Sequence, residues 1–234
     1  MSLRTEKVLV ALVLLVVLGG GFFALAEWVD TRSVPVPIWL VTPLDSAIPL
    51  LPSWVWVYLS WYPATALVLL ANRENFRRAY VAYTLTFAAC VVGYVILPIT
   101  IARPFVAAQT GISEAAVALL YAFDPPTNLF PSFHAAIATI LALLTRRPRL
   151  RLITTVWAVM LCIACLCTRQ HYVLDVVGGI AAGALAIALT DHFMVGMHFD
   201  ECAPEFSSSY SQKEPSLPSA RGASRPPLAQ RDGW

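Results

Sequence analysis

The chain has 234 residues, of which 58% are hydrophobic and only 13% are charged. Soluble globular domains carry about a quarter charged residues, so this composition indicates a membrane protein. The formal net charge of +2 is too small to indicate a nucleic-acid partner.

Six apolar stretches have lengths near the roughly 20 residues that cross a bilayer, and we predict a helix for each. They cover approximately residues 8–26, 54–71, 79–97, 132–145, 152–168 and 172–194. The predicted fold is therefore an all-α integral membrane protein, in which residues 1–202 form a bundle of six transmembrane helices that is also the catalytic domain. The fourth stretch is short, and we expect arginines at its ends to extend it by snorkelling.

The N-terminal stretch also resembles a signal peptide, with Ala24-Leu25-Ala26 as a cleavage site. We favour a retained anchor because the apolar run is longer than a usual signal core. Cleavage would leave five spans and would not change the side on which the later loops lie.

Three other segments are not predicted to cross the membrane. Residues 35–52 are interrupted by proline and are expected to lie along the outer surface. Residues 112–123 are predicted to form a short amphipathic helix on the same side. From residue 203 to 234, proline, serine, glycine and charge dominate, which is typical of a disordered cytoplasmic tail.

Lysine and arginine residues fall mostly on one side of this arrangement. Only Arg32, Arg103 and Arg169 fall on the other side. The positive-inside rule makes the richer side cytoplasmic. That side carries Arg4, Lys7, Arg73, Arg77, Arg78, Arg146, Arg147, Arg149, Arg151, Lys213, Arg221, Arg225 and Arg231.

Two histidines are predicted to lie at the outer ends of membrane helices. His134 begins the fourth span and His171 begins the sixth. Ionisable residues in such positions are costly, so they indicate function. Asp175 follows His171 by four residues, on the same face of a helix, where its carboxylate can fix the imidazole tautomer. A buried polar pair that only stabilises helix packing is the structural alternative.

Three further residues could hold an anion on this surface. Pro131 and Ser132 are typical of a helix start, where free backbone N–H groups attract anions. Arg103 and Arg169 add positive charge suited to phosphate oxygens, although each could instead be an interfacial arginine.

A metal site is not predicted. Cys162 and Cys165 have the Cys-x-x-Cys spacing but lack a second pair, and the outer acidic residues form no ligand-like group in the sequence.

The runs Pro131-Ser132-Phe133-His134 and His171-Tyr172-Val173-Leu174-Asp175 resemble the second and third signatures of the type 2 phosphatidic acid phosphatase superfamily. Arg103-Pro104 is similar to the end of its first signature. The residues around both histidines are most similar to those of the inositol phosphorylceramide synthase (aureobasidin-target) branch. The resemblance covers roughly residues 54–190. Ile96 and Cys165 stand where the superfamily usually has a lysine and an arginine.

This resemblance implies a metal-independent lipid phosphatase or phosphotransferase that needs no cofactor. His171 would attack phosphorus and form a phosphohistidine, Asp175 would orient His171, and His134 would protonate the leaving alcohol. Phosphate oxygens would contact Arg103, Arg169 and Ser132. These residue types suffice for phosphoryl transfer, which depends on positioning and charge stabilisation.

The acceptor stays open at this point. Hydrolysis of a lipid phosphate ester at the outer membrane interface is the favoured prediction, and transfer to a lipid or polyol hydroxyl, as in the synthase branch, is the alternative. A non-catalytic transporter or lipid-binding protein is a further alternative, but no internal repeat of the transporter kind is present. We expect a bacterial cytoplasmic membrane with the site facing outside, or a lumenal site in a eukaryote.

Overall fold

The computed structural model describes residue 21 and residues 24–71 and 75–201. Most of the predicted first span and all of the predicted tail from residue 203 lie outside these residues. Within them the fold is mostly helical. The helices are α1 (24–30), α2 (Pro43–Ala47), α3 (Val55–Leu59), α4 (Trp61–Ala71), α5 (Phe76–Ile96), α6 (Ile112–Phe123), α7 (Phe133–Leu144), α8 (Pro148–Cys167) and α9 (Val173–Glu201).

Four helical stretches in the described part of the chain are long and apolar enough to cross a membrane. They are Pro52–Leu70, Phe76–Ile96, Pro148–Cys167 and Val173–Met194, and they correspond to the predicted second, third, fifth and sixth spans. The protein is therefore a multi-pass, helical membrane protein.

The count of six spans is not confirmed. The predicted fourth span forms helix α7, but this helix has only 12 residues. Its length of about 18 Å is well below the roughly 30 Å of a bilayer core. The predicted first span cannot be compared, because only its last residues are described.

Helix α7 lies in the middle of the bundle, because it is apolar on all sides. Ten of its 12 residues are buried, and it packs against α4, α5, α8 and α9. Gly179 and Gly183 belong to α9 and lie where this helix contacts α7. A Cβ atom at either glycine would overlap a backbone carbonyl oxygen, that of Ser132 or of Ala136. Small residues thus allow the two helices to approach closely, as expected from their spacing.

Short elements cover the end of the bundle where α7 and α9 begin. A parallel pair of two-residue strands, β1 (Val34–Pro35) and β2 (Ile99–Thr100), joins the segment after α1 to the segment after α5. The predicted non-spanning segment 35–52 forms only short turns and helix α2. Helix α6 forms at the residues predicted for the amphipathic helix.

At the opposite end, an ion pair joins two long helices. The Arg78 guanidinium in α5 donates to both carboxylate oxygens of Asp191 in α9, at 2.5 and 2.8 Å. This two-point contact fixes α5 relative to α9.

Candidate active site

The two histidines lie side by side although 37 positions separate them in the sequence. His134 is in the first turn of α7, and His171 immediately precedes α9. Their ring centroids are 5.9 Å apart. Both side chains are buried, with exposed fractions of 9% and 7%. The close contact between α7 and α9 therefore brings the two imidazoles together.

The end of α8 determines where His171 lies. The amide of Gln170 donates to the Cys165 carbonyl at 3.0 Å, and the amide of Arg169 donates to the Leu166 carbonyl at 3.1 Å. This is the Schellman pattern of helix termination, which needs a left-handed residue after the last turn. Arg169 takes that conformation with φ 53°. The chain reverses there, and His171 follows directly.

Asp175 connects the two histidine segments. Its Oδ2 lies 3.7 Å from His171 Nδ1 and accepts a hydrogen bond from the Tyr172 amide at 2.8 Å. Its backbone carbonyl accepts from the Ser132 amide at 2.9 Å. The imidazole contact is longer than a hydrogen bond, and neither His171 Nδ1 nor Asp175 Oδ1 has another protein partner. The carboxylate of Asp175 thus lies beside Nδ1 of His171 without a direct hydrogen bond to it.

Ser132 is the N-cap of α7. Its side-chain oxygen accepts from the Ala135 amide at 3.4 Å, and the residue is fully buried. The preceding carbonyl of Pro131 accepts from the Tyr94 hydroxyl at 3.0 Å. These contacts fix the start of the helix next to His134 and Asp175.

Arg103 and Arg169 occupy different environments. Arg103 donates to the carbonyl oxygens of Asp124 and Pro125 and to the side-chain oxygen of Gln170, while its Nε has no protein partner. Arg169 donates to the carbonyl oxygens of Asp45 and Ile48. Arg103 therefore lies beside the histidine segment, whereas the hydrogen bonds of Arg169 connect α8 to the short outer elements.

Two cavities adjoin these residues. One, of about 10 Å³, has both histidines, Asp124, Asn128 and Gln170 in its wall. This space suffices for about one water molecule. The other is a cleft of about 400 Å³ with Arg103, Arg169 and Tyr172 in its wall. The hydrogen bond between Arg103 and Gln170 joins a residue in the wall of the larger cleft to a residue in the wall of the smaller cavity.

Asp124 is one of the outer acidic residues, for which the sequence predicts no shared site, yet it contributes to the wall of the histidine cavity. The Tyr58 hydroxyl donates to its carboxylate at 3.4 Å, and Arg103 lies 4.0 Å away. Burial raises the pKa of the Asp124 carboxyl above its usual value, and the Arg103 charge offsets part of that rise. No local pattern in the sequence distinguishes this residue.

Two aromatic rings lie close to the imidazole ring of His134. Tyr58 and Trp61 have ring centroids 4.6 and 4.9 Å from that of the imidazole. Tyr58 lies in α3 and Trp61 lies in α4, and the break between these helices is at Ser60. Pro63 contributes to this break because proline has no amide hydrogen to donate within a helix.

Asp45 is a second buried carboxylate that the sequence did not indicate. Its Oδ1 accepts from the Val173 amide at 2.7 Å, and its Oδ2 accepts from the amide and hydroxyl of Thr42 at 2.7 and 2.6 Å. Asp45 thus satisfies a free N–H group at the start of α9, two residues after His171.

Among the described residues, no group of three or more histidine, cysteine, aspartate or glutamate side chains is arranged to hold a metal ion. The described cysteines, Cys90, Cys162, Cys165 and Cys167, are free thiols.

Comparisons with known proteins give one finding. The family model of the PAP2 superfamily matches residues 34–189, a range that includes His134, His171, Asp175, Arg103, Arg169 and Ser132. Searches of curated proteins and of solved structures gave no match.

Proposed function

The chain belongs to the PAP2 superfamily, and from this premise we propose that it cleaves a lipid phosphate ester through a phosphohistidine formed on His171. Membership in the superfamily makes it, in general terms, a phosphatase or phosphotransferase of lipid phosphates. The step at His171, the roles of its neighbours and the choice of acceptor go beyond membership and are our proposal.

The observation that carries the proposal is the separation of 5.9 Å between the ring centroids of His134 and His171. Two imidazoles at this spacing can contact opposite sides of one phosphoryl group. One can then act as nucleophile while the other transfers a proton. The carboxylate of Asp175 beside Nδ1 of His171 supports the choice of His171 as nucleophile.

The reaction has two balanced steps. His171 Nε2 attacks phosphorus, an N–P bond forms, the P–O bond to the lipid alcohol breaks, and His134 gives its proton to the departing oxygen. A water molecule or an acceptor hydroxyl then attacks phosphorus and loses its proton to His134, and the N–P bond breaks. Free phosphate results from water, and a phosphate ester results from an alcohol.

Donors around the cavity suit the phosphate oxygens. The Nε of Arg103 and the Nε2 of Gln170 are buried without a protein partner. A phosphate that accepts from both would satisfy them and compensate their burial. Since the cavity holds about one water molecule, entry of a phosphate requires its wall to move, and we propose that the Arg103–Gln170 contact opens.

The role of Arg169 in phosphate binding stays a prediction. Its guanidinium already donates to two backbone carbonyls, although it also contributes to the wall of the larger cleft together with Arg103. A phosphate in that cleft would contact both arginines before it reaches the histidines. We propose that Arg169 acts there, and that the site faces the non-cytoplasmic side of the membrane.

The proposal predicts that purified protein releases phosphate from phosphatidic acid in the presence of a chelator, and that His171→Ala abolishes this activity. Loss of a nucleophile lowers kcat by about 10⁶-fold in the best-studied hydrolases, so no turnover should be measurable. Rapid quenching with a radiolabelled lipid phosphate should trap an acid-labile, base-stable phosphoprotein in the wild type alone.

His192→Ala is the matched control, because His192 is an exposed histidine at the far end of α9. It should retain full activity. Turnover by the His171 variant would exclude His171 as nucleophile, and loss of activity on chelation would exclude metal independence. Added glycerol or inositol in the same assay distinguishes transfer from hydrolysis.

A further inference from the structure

Asn128 has a buried amide group with no protein partner. The residue is 4% exposed, and neither its Oδ1 nor its Nδ2 makes a hydrogen bond. Its side chain lies in the wall of the cavity that contains both histidines. An unpaired buried polar group is destabilising, so such groups are uncommon in folded proteins. An amide that leaves both its donor and its acceptor unpaired beside a reactive site indicates a ligand.

The backbone keeps Asn128 in this place. Its φ of 58° lies in the left-handed region, which asparagine tolerates better than most residues. The neighbouring Thr127 donates its hydroxyl to the Ala26 carbonyl at 3.3 Å. Thr127 is therefore engaged in the fold, whereas the Asn128 side chain is available.

The unpaired atoms in the wall of the histidine cavity and on Arg103, which donates to the wall residue Gln170, differ in their chemistry. Arg103 Nε and Gln170 Nε2 can only donate, and they suit ionised phosphate oxygens, which only accept. The Asn128 amide offers a donor and an acceptor together. The Asp124 carboxylate in the same wall mainly accepts, and it would repel a phosphate dianion. A group that fits both Asn128 and Asp124 must donate and accept at once, and a hydroxyl group does so.

We propose that Asn128, together with Asp124, binds a hydroxyl group of a polyol. Another oxygen of the same polyol forms the ester bond to the phosphorus at the histidines. This inference rests on the function proposed above and specifies the substrate class. Two sources share the chemistry: the alcohol that leaves the donor ester and an alcohol that enters as acceptor. In the first case the preferred donor carries a free hydroxyl next to the phosphate ester.

The test compares two substrates in each variant, because a ratio of activities does not depend on the folded fraction of the preparation. The substrates are 1-acylglycerol 3-phosphate, which has a free neighbouring hydroxyl, and 1,2-diacylglycerol 3-phosphate, which has none. Transfer to added glycerol is measured in parallel as the ratio of glycerol phosphate to free phosphate.

The informative variant is Asn128→Gly, since glycine keeps the left-handed backbone and removes only the amide. We expect it to lower the preference for the hydroxylated donor, or the ratio of transfer to hydrolysis, by about tenfold, the effect of one hydrogen-bonding residue. A change in the donor preference identifies the leaving alcohol as the ligand, and a change in the transfer ratio identifies the acceptor.

Asn75→Gly is the matched control. Asn75 is also a buried asparagine with an unpaired Nδ2, but it lies at the start of α5, away from the histidine cavity. It should leave both ratios unchanged. If Asn128→Gly also leaves both ratios unchanged while the wild type cleaves both substrates, the inference is wrong and the proposed function stands. If the wild type cleaves neither substrate, the proposed function fails and the inference fails with it.

Discussion

At the scale of single residues, Asp45 contacts the site from a segment that is distant in the sequence. It lies in the short helix α2, far from both histidines in the sequence, yet its carboxylate accepts from the amide of Val173 at 2.7 Å. The backbone carbonyl of the same residue accepts from Arg169 at 2.7 Å. Asp45 therefore holds the chain on both sides of His171, and we infer that it positions the nucleophile.

We predict that Asp45→Asn lowers both Tm and kcat. The amide nitrogen cannot accept hydrogen bonds, so one side of the carboxylate loses its donors, at a cost of about 2 kcal/mol for a buried charged acceptor. A displaced His171 should lower kcat by about tenfold, with little change in KM. Thermal unfolding in detergent and steady-state kinetics measure the two effects.

Asp30→Asn is the control for this substitution, since Asp30 is an exposed aspartate outside the site. It should change neither quantity. A variant at Asp45 with a lower Tm but an unchanged kcat would show that this residue stabilises the fold without positioning His171.

Residues of the candidate site differ in how far the sequence could predict them. His134, His171 and Asp175 stand in short patterns whose spacing has a direct chemical meaning. Asp45, Asp124 and Asn128 have no such pattern: the packing of a separate segment brings Asp45 next to the His171 segment, and the irregular connection from α6 to α7 places Asp124 and Asn128 in the cavity wall. The hydrogen bond from Val173 to Asp45 spans 128 positions, and no local rule predicts such a pair.

At the scale of secondary-structure elements, the contact between α7 and α9 determines the distance between the histidines. Each helix carries one of the two motifs at its N-terminal end, so a shift of one helix along the other would separate the imidazoles. Gly183 allows the close approach, since a Cβ atom there would overlap the Ala136 carbonyl. The same small residues thus serve both packing and the geometry of the site.

We predict that Gly183→Ala separates α7 from α9 and reduces both stability and activity. Overpacking of a tight contact costs about 1–3 kcal/mol, so Tm should fall by several degrees. Ala184→Leu is the control, because the neighbouring Ala184 is exposed on the same helix. It adds more volume than the glycine substitution but should leave Tm unchanged. Equal losses in the two variants would show that close packing at Gly183 is not required.

Helix boundaries were predicted correctly where the hydrophobic pattern and the residues at the helix ends indicate the same limits. They were predicted less well where a helix begins with charged residues. The predicted amphipathic helix and observed α6 coincide at Ile112–Phe123. Helix α8 begins at Pro148, four residues before the apolar run, because Pro148 starts the first turn and the turn includes Arg149 and Arg151. Helix α5 likewise begins before its predicted start and includes Arg77 and Arg78.

At the scale of the whole molecule, the short helix α7 explains why the number of spans is hard to derive from hydropathy. Its 12 residues are as apolar as those of a membrane span but lie inside the protein, where neighbouring helices surround them. Hydropathy measures whether a segment avoids water, and it does not distinguish lipid from protein as the alternative environment.

The distribution of charge predicts which side of the membrane the site faces. The loop between α7 and α8 and the start of α8 together carry four arginines and should be cytoplasmic, whereas the histidines and helix α6 lie at the opposite end of α7. We predict that Thr110→Cys is labelled by a membrane-impermeant maleimide in intact cells and that Arg149→Cys is labelled only after permeabilisation. Both positions are exposed, and wild-type protein gives the background from native cysteines. The reverse labelling would place the histidines on the cytoplasmic side, so that lipid phosphates of the inner leaflet would be the accessible substrates.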